Sequence, residues 1–173
     1  MKGLIDNWYK ANMTGLTSYL DNNAVYCNDR SIKSLGGWAP KGNTTSNLEF
    51  KCYNSPSKAN ATLGCSNVTD RYAVTNSEAE LSYPIGLLTG AERAMMYSGY
   101  ARTGQSWWLG SPITFDNDRA YGRYIGASGG DDHYGNVGYA YGLRPAIVLN
   151  PGIQLLSGDG TYNTPYVIDT SGS

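Results

Sequence analysis

The segment from Trp107 to Leu149 most constrains the fold, because WWLGSP and LRPAIVL are apolar and bracket a stretch that is polar, glycine-rich and tyrosine-laden. From Asp116 to Tyr141, five Tyr, six Gly, four Asp, two Asn and one Ser fill 18 of 26 places, the composition of a contact surface. Tyrosine offers a large amphipathic contact area for two rotatable angles, while Gly, Ser and Asn allow adaptable polar contacts, the mixture found in antibody paratopes. The flanks have the character of buried scaffold. Function is therefore expected between them.

At 173 residues the chain is expected to form one domain, 1–173, with a core that needs no staples. Four Trp and 15 Tyr against two Phe place much of the aromatic area at a wet boundary. With 22 Gly and only 16% charged residues, the fold should be loop-rich and poor in long surface helices. The net charge of -1 and the scattered Lys and Arg argue against a nucleic-acid partner. No apolar run approaches the roughly 20 residues needed to span a bilayer, and MKGLIDNWYK has no hydrophobic signal core. Met1-Lys2-Gly3 runs straight into helical periodicity, which fits a chain trimmed from a longer protein, so secretion stays open. Cys27, Cys52 and Cys65 allow one disulfide in three connectivities, or three buried thiols. Their spacing, with one His in the chain, does not suit structural zinc.

Along the chain, Leu4, Ile5, Trp8, Tyr9 and Asn12 predict an amphipathic helix over about 4–13, followed by a second short turn or helix. Ala24 to Cys27 is a short extended stretch, 36–47 is loop, and Leu48 to Tyr53 alternates like a strand. Tyr83 to Leu88 is an apolar strand. Thr89-Gly90-Ala91-Glu92 is a capping box opening a helix over about 90–97, with Ala91, Ala94 and Met95 inward, Met95 and Met96 as core filler and Gly99 beyond its end. Trp107 to Leu109 begins the central sheet, and Ser111-Pro112 ends that strand. Arg119 to Ile125 is a strand, Ser128 to Asp131 a turn, and Leu143 to Leu149 a central strand apolar on both faces apart from Arg144. Ser157 to Thr161 is a tight turn, and Tyr166 to Ile168 closes the sheet. Early helices and late, glycine-punctuated strands predict an α+β domain.

The strings WYKANMTGLTSYLDNNAVYCNDRSI, VTDRYAV, LSYPIGLLTGAE, WWLGSP, YGLRPAIVLN and LLSGDGTYNTPYVID, in this order over about 5–168, resemble a family of gut bacterial and phage surface modules without an assigned chemistry. Cys27 and Cys65 fall where that family often places cysteines, which implies that pair as the disulfide. The carboxyl-terminal half, with WWLGSP, Arg119-Ala120 and Gly142 to Ala146, is similar to the C-type lectin-like fold shared by formylglycine-generating enzymes and the variable proteins of diversity-generating retroelements. The resemblance implies two short helices, a small twisted antiparallel sheet and long loops, with 107–149 as scaffold strands around a variable ligand-binding surface over 116–139. Positions in that style are Asp116, Asn117, Asp118, Tyr121, Arg123, Tyr124, Ser128, Asp131, Asp132, His133, Tyr134, Asn136 and Tyr139.

The chemistry expected of these residues is binding rather than catalysis, with no cofactor. The four Asp lack a twelve-residue calcium loop and the strings by which sugar-binding C-type lectins recruit calcium, so turn-forming carboxylates explain them. His133 has no nucleophile and orienting partner in pattern. Formylglycine chemistry needs paired cysteines late in the domain, and none follows Cys65. Arg144, within an apolar strand, is expected to tie the variable loops to the scaffold through carboxylate or carbonyl partners. At least one of Trp107 and Trp108 is expected in the core, and Asp159 and Asn163 are expected to form turns. The expectation is a receptor-recognition module displayed outside the cell, on a cell surface or virion, that docks a protein or glycan on another cell, with Tyr121, Tyr124, Tyr134 and Tyr139 as anchors. Oligomeric display would raise avidity. The alternative is a structural or adhesin domain whose tyrosines pack on neighbouring modules. One exposed patch of Tyr121, Arg123, Tyr134 and Tyr139 would favour recognition, whereas their burial or dispersal would sink the paratope reading.

Overall fold

The structure, a computed structural model, describes residues 1–32, 48–50, 63–116, 119–129, 132–161 and 163–171. The expected loop over 36–47, Cys52 and the rest of 51–60 lie outside them. The described residues form an α+β domain. Helix α1 spans Lys2–Asn12, and a 3-10 helix continues over Thr14–Tyr19. Of the predicted stripe only Ile5 and Tyr9, one turn apart, are buried, while Leu4 and Trp8 are exposed. Tyr9 stacks on Tyr83 with ring centroids 4.8 Å apart and packs with Met13, Leu20 and Ile85 in a first core cluster.

Two small pairings flank this cluster. Strands β1 (Tyr26–Cys27) and β3 (Arg71–Tyr72) are antiparallel, and a disulfide joins Cys27 to Cys65 beside them. Asp70, almost fully buried, organises the same lobe: Arg30 donates to it through Nε at 2.7 Å and through its backbone amide at 3.1 Å, and Asn67 Nδ2 adds a third bond. Strand β4 (Gly86–Leu87) pairs with β9 (Pro145–Ala146).

The main sheet has the order β2-β5-β6-β7, from Leu48–Glu49, Trp107–Asp116, Arg119–Ile125 and Asp132–Asn136, all antiparallel neighbours. Strand β8 (Gly142–Leu143) pairs parallel to the start of β5, so the sheet is mixed rather than purely antiparallel as expected. Strand β6 has the predicted bounds. Strand β5, in contrast, runs through Ser111-Pro112 to Asp116 instead of ending there. The register against β6 shifts between Trp108 and Pro112 and again before Thr114, and these irregularities accommodate a residue with no ladder donor. Trp107 and Trp108 are both buried. The Trp107 indole donates to Ala101 O at 3.1 Å, and its ring joins Ala101, Leu109 and Ile125 in a second core cluster.

The helix after Thr89 has the expected capping box but spans only Gly90–Met95 (α2). Its inward residues are Gly90 and Arg93, not Ala91, Ala94 and Met95. The Gly90 amide donates to the buried Ser111 hydroxyl at 2.9 Å, and Met95 is 41% exposed. Met96 is half-buried, and Gly99 falls in a 3-10 turn over Ser98–Ala101.

Leu143 to Leu149 is not a central strand. Arg144 alone separates β8 from β9, and Val148 and Leu149 are exposed. The chain then turns back on the amino-terminal segment: Leu20 bridges Leu149, Asp21 N donates to Val148 O, and Asn150 N donates to Tyr19 O. The tight turn after Ser157 is present, with Gly158 and Gly160 at positive φ and Asp159 accepting from the Thr161 amide at 2.9 Å and from the Thr164 hydroxyl. Those bonds hold the Asp159 carboxyl below its ordinary range. Strands β10 (Leu155–Ser157) and β11 (Val167–Ile168) form a separate hairpin instead of closing the main sheet.

Candidate functional site

Residues that face one another across β6 and β7 share a side of the sheet, and successive residues alternate. The register Tyr121↔Asn136, Gly122↔Gly135, Arg123↔Tyr134 and Tyr124↔His133 therefore sorts the candidate residues into two sets. Tyr121, Arg123, Tyr134 and Asn136 lie on one side, and Gly122, Tyr124 and Gly135 on the other.

The first side carries a pair of rings, Tyr121 and Tyr134, at 6.2 Å in edge contact. Tyr134 is 60% exposed because β7 ends the sheet order, whereas Tyr121 is half-buried. Arg123 departs from the expected polar rim: it is 2% exposed. Ile125, fully buried two residues on, belongs to the same side of β6, and the inward face carries Arg123 with it.

The second side holds a continuous aromatic stack. Trp108 meets Tyr124 at 5.9 Å and Tyr141 at 5.0 Å, Tyr124 meets Tyr141 at 4.5 Å, and Tyr139 meets Tyr141 at 5.9 Å. The stack climbs from a buried indole to Tyr139, whose ring is 55% exposed. A facing glycine makes room for it: a Cβ on Gly135 would crowd the Tyr124 ring at 3.0 Å, whereas one on Gly122 would meet Trp108 at an ordinary contact distance of 3.5 Å. A turn returns Tyr139 to this side, with Asn136 Oδ1 accepting from Gly138 N at 2.8 Å and Asn136 O from Tyr139 N at 2.9 Å. The Tyr124 and Tyr141 phenols are hydrogen-bonded, and that bond first, then desolvation, raises the Tyr141 pKa. Beside the stack an apolar pocket of about 350 Å³ is lined by Trp108, Pro112, Phe115, Ala120, Gly122 and Val137.

The remaining expected positions are scattered along the hairpin. Asp116 ends β5 opposite Arg119, and Asp132 and His133 lie in β7 opposite Ile125 and Tyr124. Ser128 is exposed, with its carbonyl accepting from Arg102 Nε at 3.1 Å. Asn117, Asp118 and Asp131 lie outside the described residues. Tyr121, Arg123, Tyr134 and Tyr139 do not form one exposed patch: Arg123 is buried, and Tyr134 and Tyr139 lie on opposite sides of the sheet, so the contact surface expected of these four residues fails. Trp108, Val137 and Tyr141 are the residues that sequence reasoning left out; alternation from Ile125 along β6 would have separated the two sides, and the tyrosine-rich composition already extended to Tyr141.

The hairpin is anchored from below. Gly129, at φ +72, is buried, and its carbonyl accepts from Arg93 Nη2 of α2 at 2.8 Å. Arg144 does not tie the hairpin as expected: its Nη1 donates to Tyr100 O at 2.8 Å, and its guanidinium lies 5.3 Å from the Trp107 ring. Among the described residues no group of three His, Cys, Asp or Glu is placed to hold a metal ion, and no helix is long and apolar enough to cross a membrane. No family model, curated protein or solved structure matches the chain.

Proposed function

We infer that the chain is a non-catalytic recognition module of C-type lectin-like type, and that its contact surface is the stacked side of the β6–β7 hairpin. The aromatic stack from buried Trp108 to exposed Tyr139 carries this reading. Rings that are already packed lose little freedom when a partner settles on them, so their contact area contributes to affinity with a small ordering cost. The apolar pocket beside Trp108 offers an anchor point, and the hairpin's polar residues form a rim. The partner is a protein or glycan on another cell, met by an oligomeric display outside the cell; the disulfide suits an oxidising compartment. Diversification by a retroelement would act on the hairpin positions while β5 and the core stay fixed.

The test is a screen of cell-surface glycans and proteins with wild type, Tyr139→Ala and Tyr134→Ala. Tyr139→Ala should weaken binding by about tenfold with little change in melting temperature, and Tyr134→Ala, on the opposite side, should change it little. Equal binding by wild type and Tyr139→Ala would overturn this surface. The coding DNA tests diversification separately: a neighbouring reverse transcriptase gene and a near-identical repeat of 108–149 are expected, and absence of both would sink that part alone.

A structural or adhesin role is the second reading, favoured by the carboxyl-terminal hairpin. Leu155, Leu156, Tyr166 and Val167 expose 52%, 64%, 58% and 47% of their surface there, an apolar face of the kind a neighbouring module covers.

A further inference from the structure

We propose that the pocket between Tyr100, Arg102 and Arg144 binds the carboxylate of an acidic saccharide. The pocket, about 310 Å³, opens where β5 begins and β8 runs beside it, and it shares no residue with the tyrosine stack. Trp107, Leu143 and Ser106 complete its walls. Two guanidiniums line it and no carboxylate does. Neither Arg102 nor Arg144 belongs to an ion pair among the described residues. Two like charges in one concavity repel, and an anion seated between them relieves that repulsion.

Both side chains are held before any ligand arrives. Arg144 is clamped between the Tyr100 carbonyl and the Trp107 ring, and Arg102 is held by the Ser128 carbonyl. A guanidinium has five N–H donors, and each of these spends one on the protein. The donors that remain match the planar, two-pronged geometry of a carboxylate.

The surroundings favour a sugar as the bearer of that carboxylate. Tyr100, in the pocket wall, is 39% exposed, and the 71% exposed Tyr97 lies in edge contact with its ring, centroids 5.5 Å apart, so exposed aromatic surface adjoins the pocket. The apolar C–H face of a pyranose packs on such a ring, while exposed Thr103 and Gln105 on the pocket wall offer partners for hydroxyls.

Titration with trigalacturonic acid, followed by amide chemical shifts and calorimetry, tests the site. Binding should move the amides of 100–107 and 142–144. Methyl esterification of the trisaccharide should weaken it by about tenfold or more, as should Arg102→Gln, whose melting temperature should match wild type. Arg144→Lys, which keeps the charge and loses the fork, should also bind more weakly. Tyr139→Ala should bind as wild type does, which separates this site from the hairpin surface. No binding by the acid, equal binding of acid and ester, or an unchanged affinity in Arg102→Gln would overturn the proposal. Equally tight binding of triglutamate would overturn its saccharide part.

Discussion

Asp70 shows how much one side chain can organise in a loop-rich chain. Burial raises its pKa, but the bonds from the Arg30 side chain and amide and from Asn67 outweigh burial and leave the carboxyl below its ordinary range. A carboxyl with a lowered folded pKa stabilises the fold above the unfolded value, near pH 4, and that contribution is lost as pH falls through the folded value. Asp70→Asn should therefore cost about 2 kcal/mol at neutral pH, and the melting curves of variant and wild type should converge in acid. A gap that stays constant from pH 7 to pH 3 would count against it. Arg123 shows the opposite case, a charged residue whose destination the chain did disclose. Its place two residues before Ile125 in a predicted strand assigns it inward; the polar, tyrosine-rich composition around it argued otherwise, and alternation prevailed.

At the scale of elements, the β6–β7 hairpin depends on its base as much as on its ladder. Gly129 sits at positive φ, and a Cβ there would stand 2.4 Å from the Arg102 backbone nitrogen. Gly129→Ala should cost about 2–4 kcal/mol in chemical denaturation, through both backbone strain and the clash with the main chain. A loss below about 0.5 kcal/mol would show that the turn is not docked as described. Local chemistry made the bounds of β6 and the capping box of α2 legible, since strand bounds and caps depend on near neighbours. The extent of β5 was not. Pro112 is a sound local stop signal, but pairing with β2 and β6 on either side carries the strand past it. The inward turn of Arg93 was hidden for the same reason, because its acceptor, Gly129 O, lies 36 residues away.

Across the molecule as a whole, two core clusters of the described residues divide the work. The first, around Tyr9 and Ile85, belongs to α1 and the segment before α2; the second, around Trp107 and Ile125, lies beneath the hairpin. The α+β class was legible because helix and strand patterns segregate along the chain. The distribution of tyrosines over two sides was not, because composition records how many rings there are and not which way the pleat turns them. The seam where Tyr19, Leu20 and Asp21 meet Val148, Leu149 and Asn150 closes the chain on itself, and the Tyr19 hydroxyl adds a bond to Thr170 O at 3.0 Å. It has a mechanical meaning. Tension applied through the two ends meets that seam before it reaches anything from β1 to β9, all of which lies inside the loop the seam closes. Under a steady pull the carboxyl-terminal hairpin should peel away before the β6–β7 hairpin feels any load. In a single-molecule stretching trace the first extension should match release of 150–171, and early opening of β6 from β7 would contradict it. If the proposed recognition role holds, a chain closed this way would keep its contact surface folded while its ends are drawn apart.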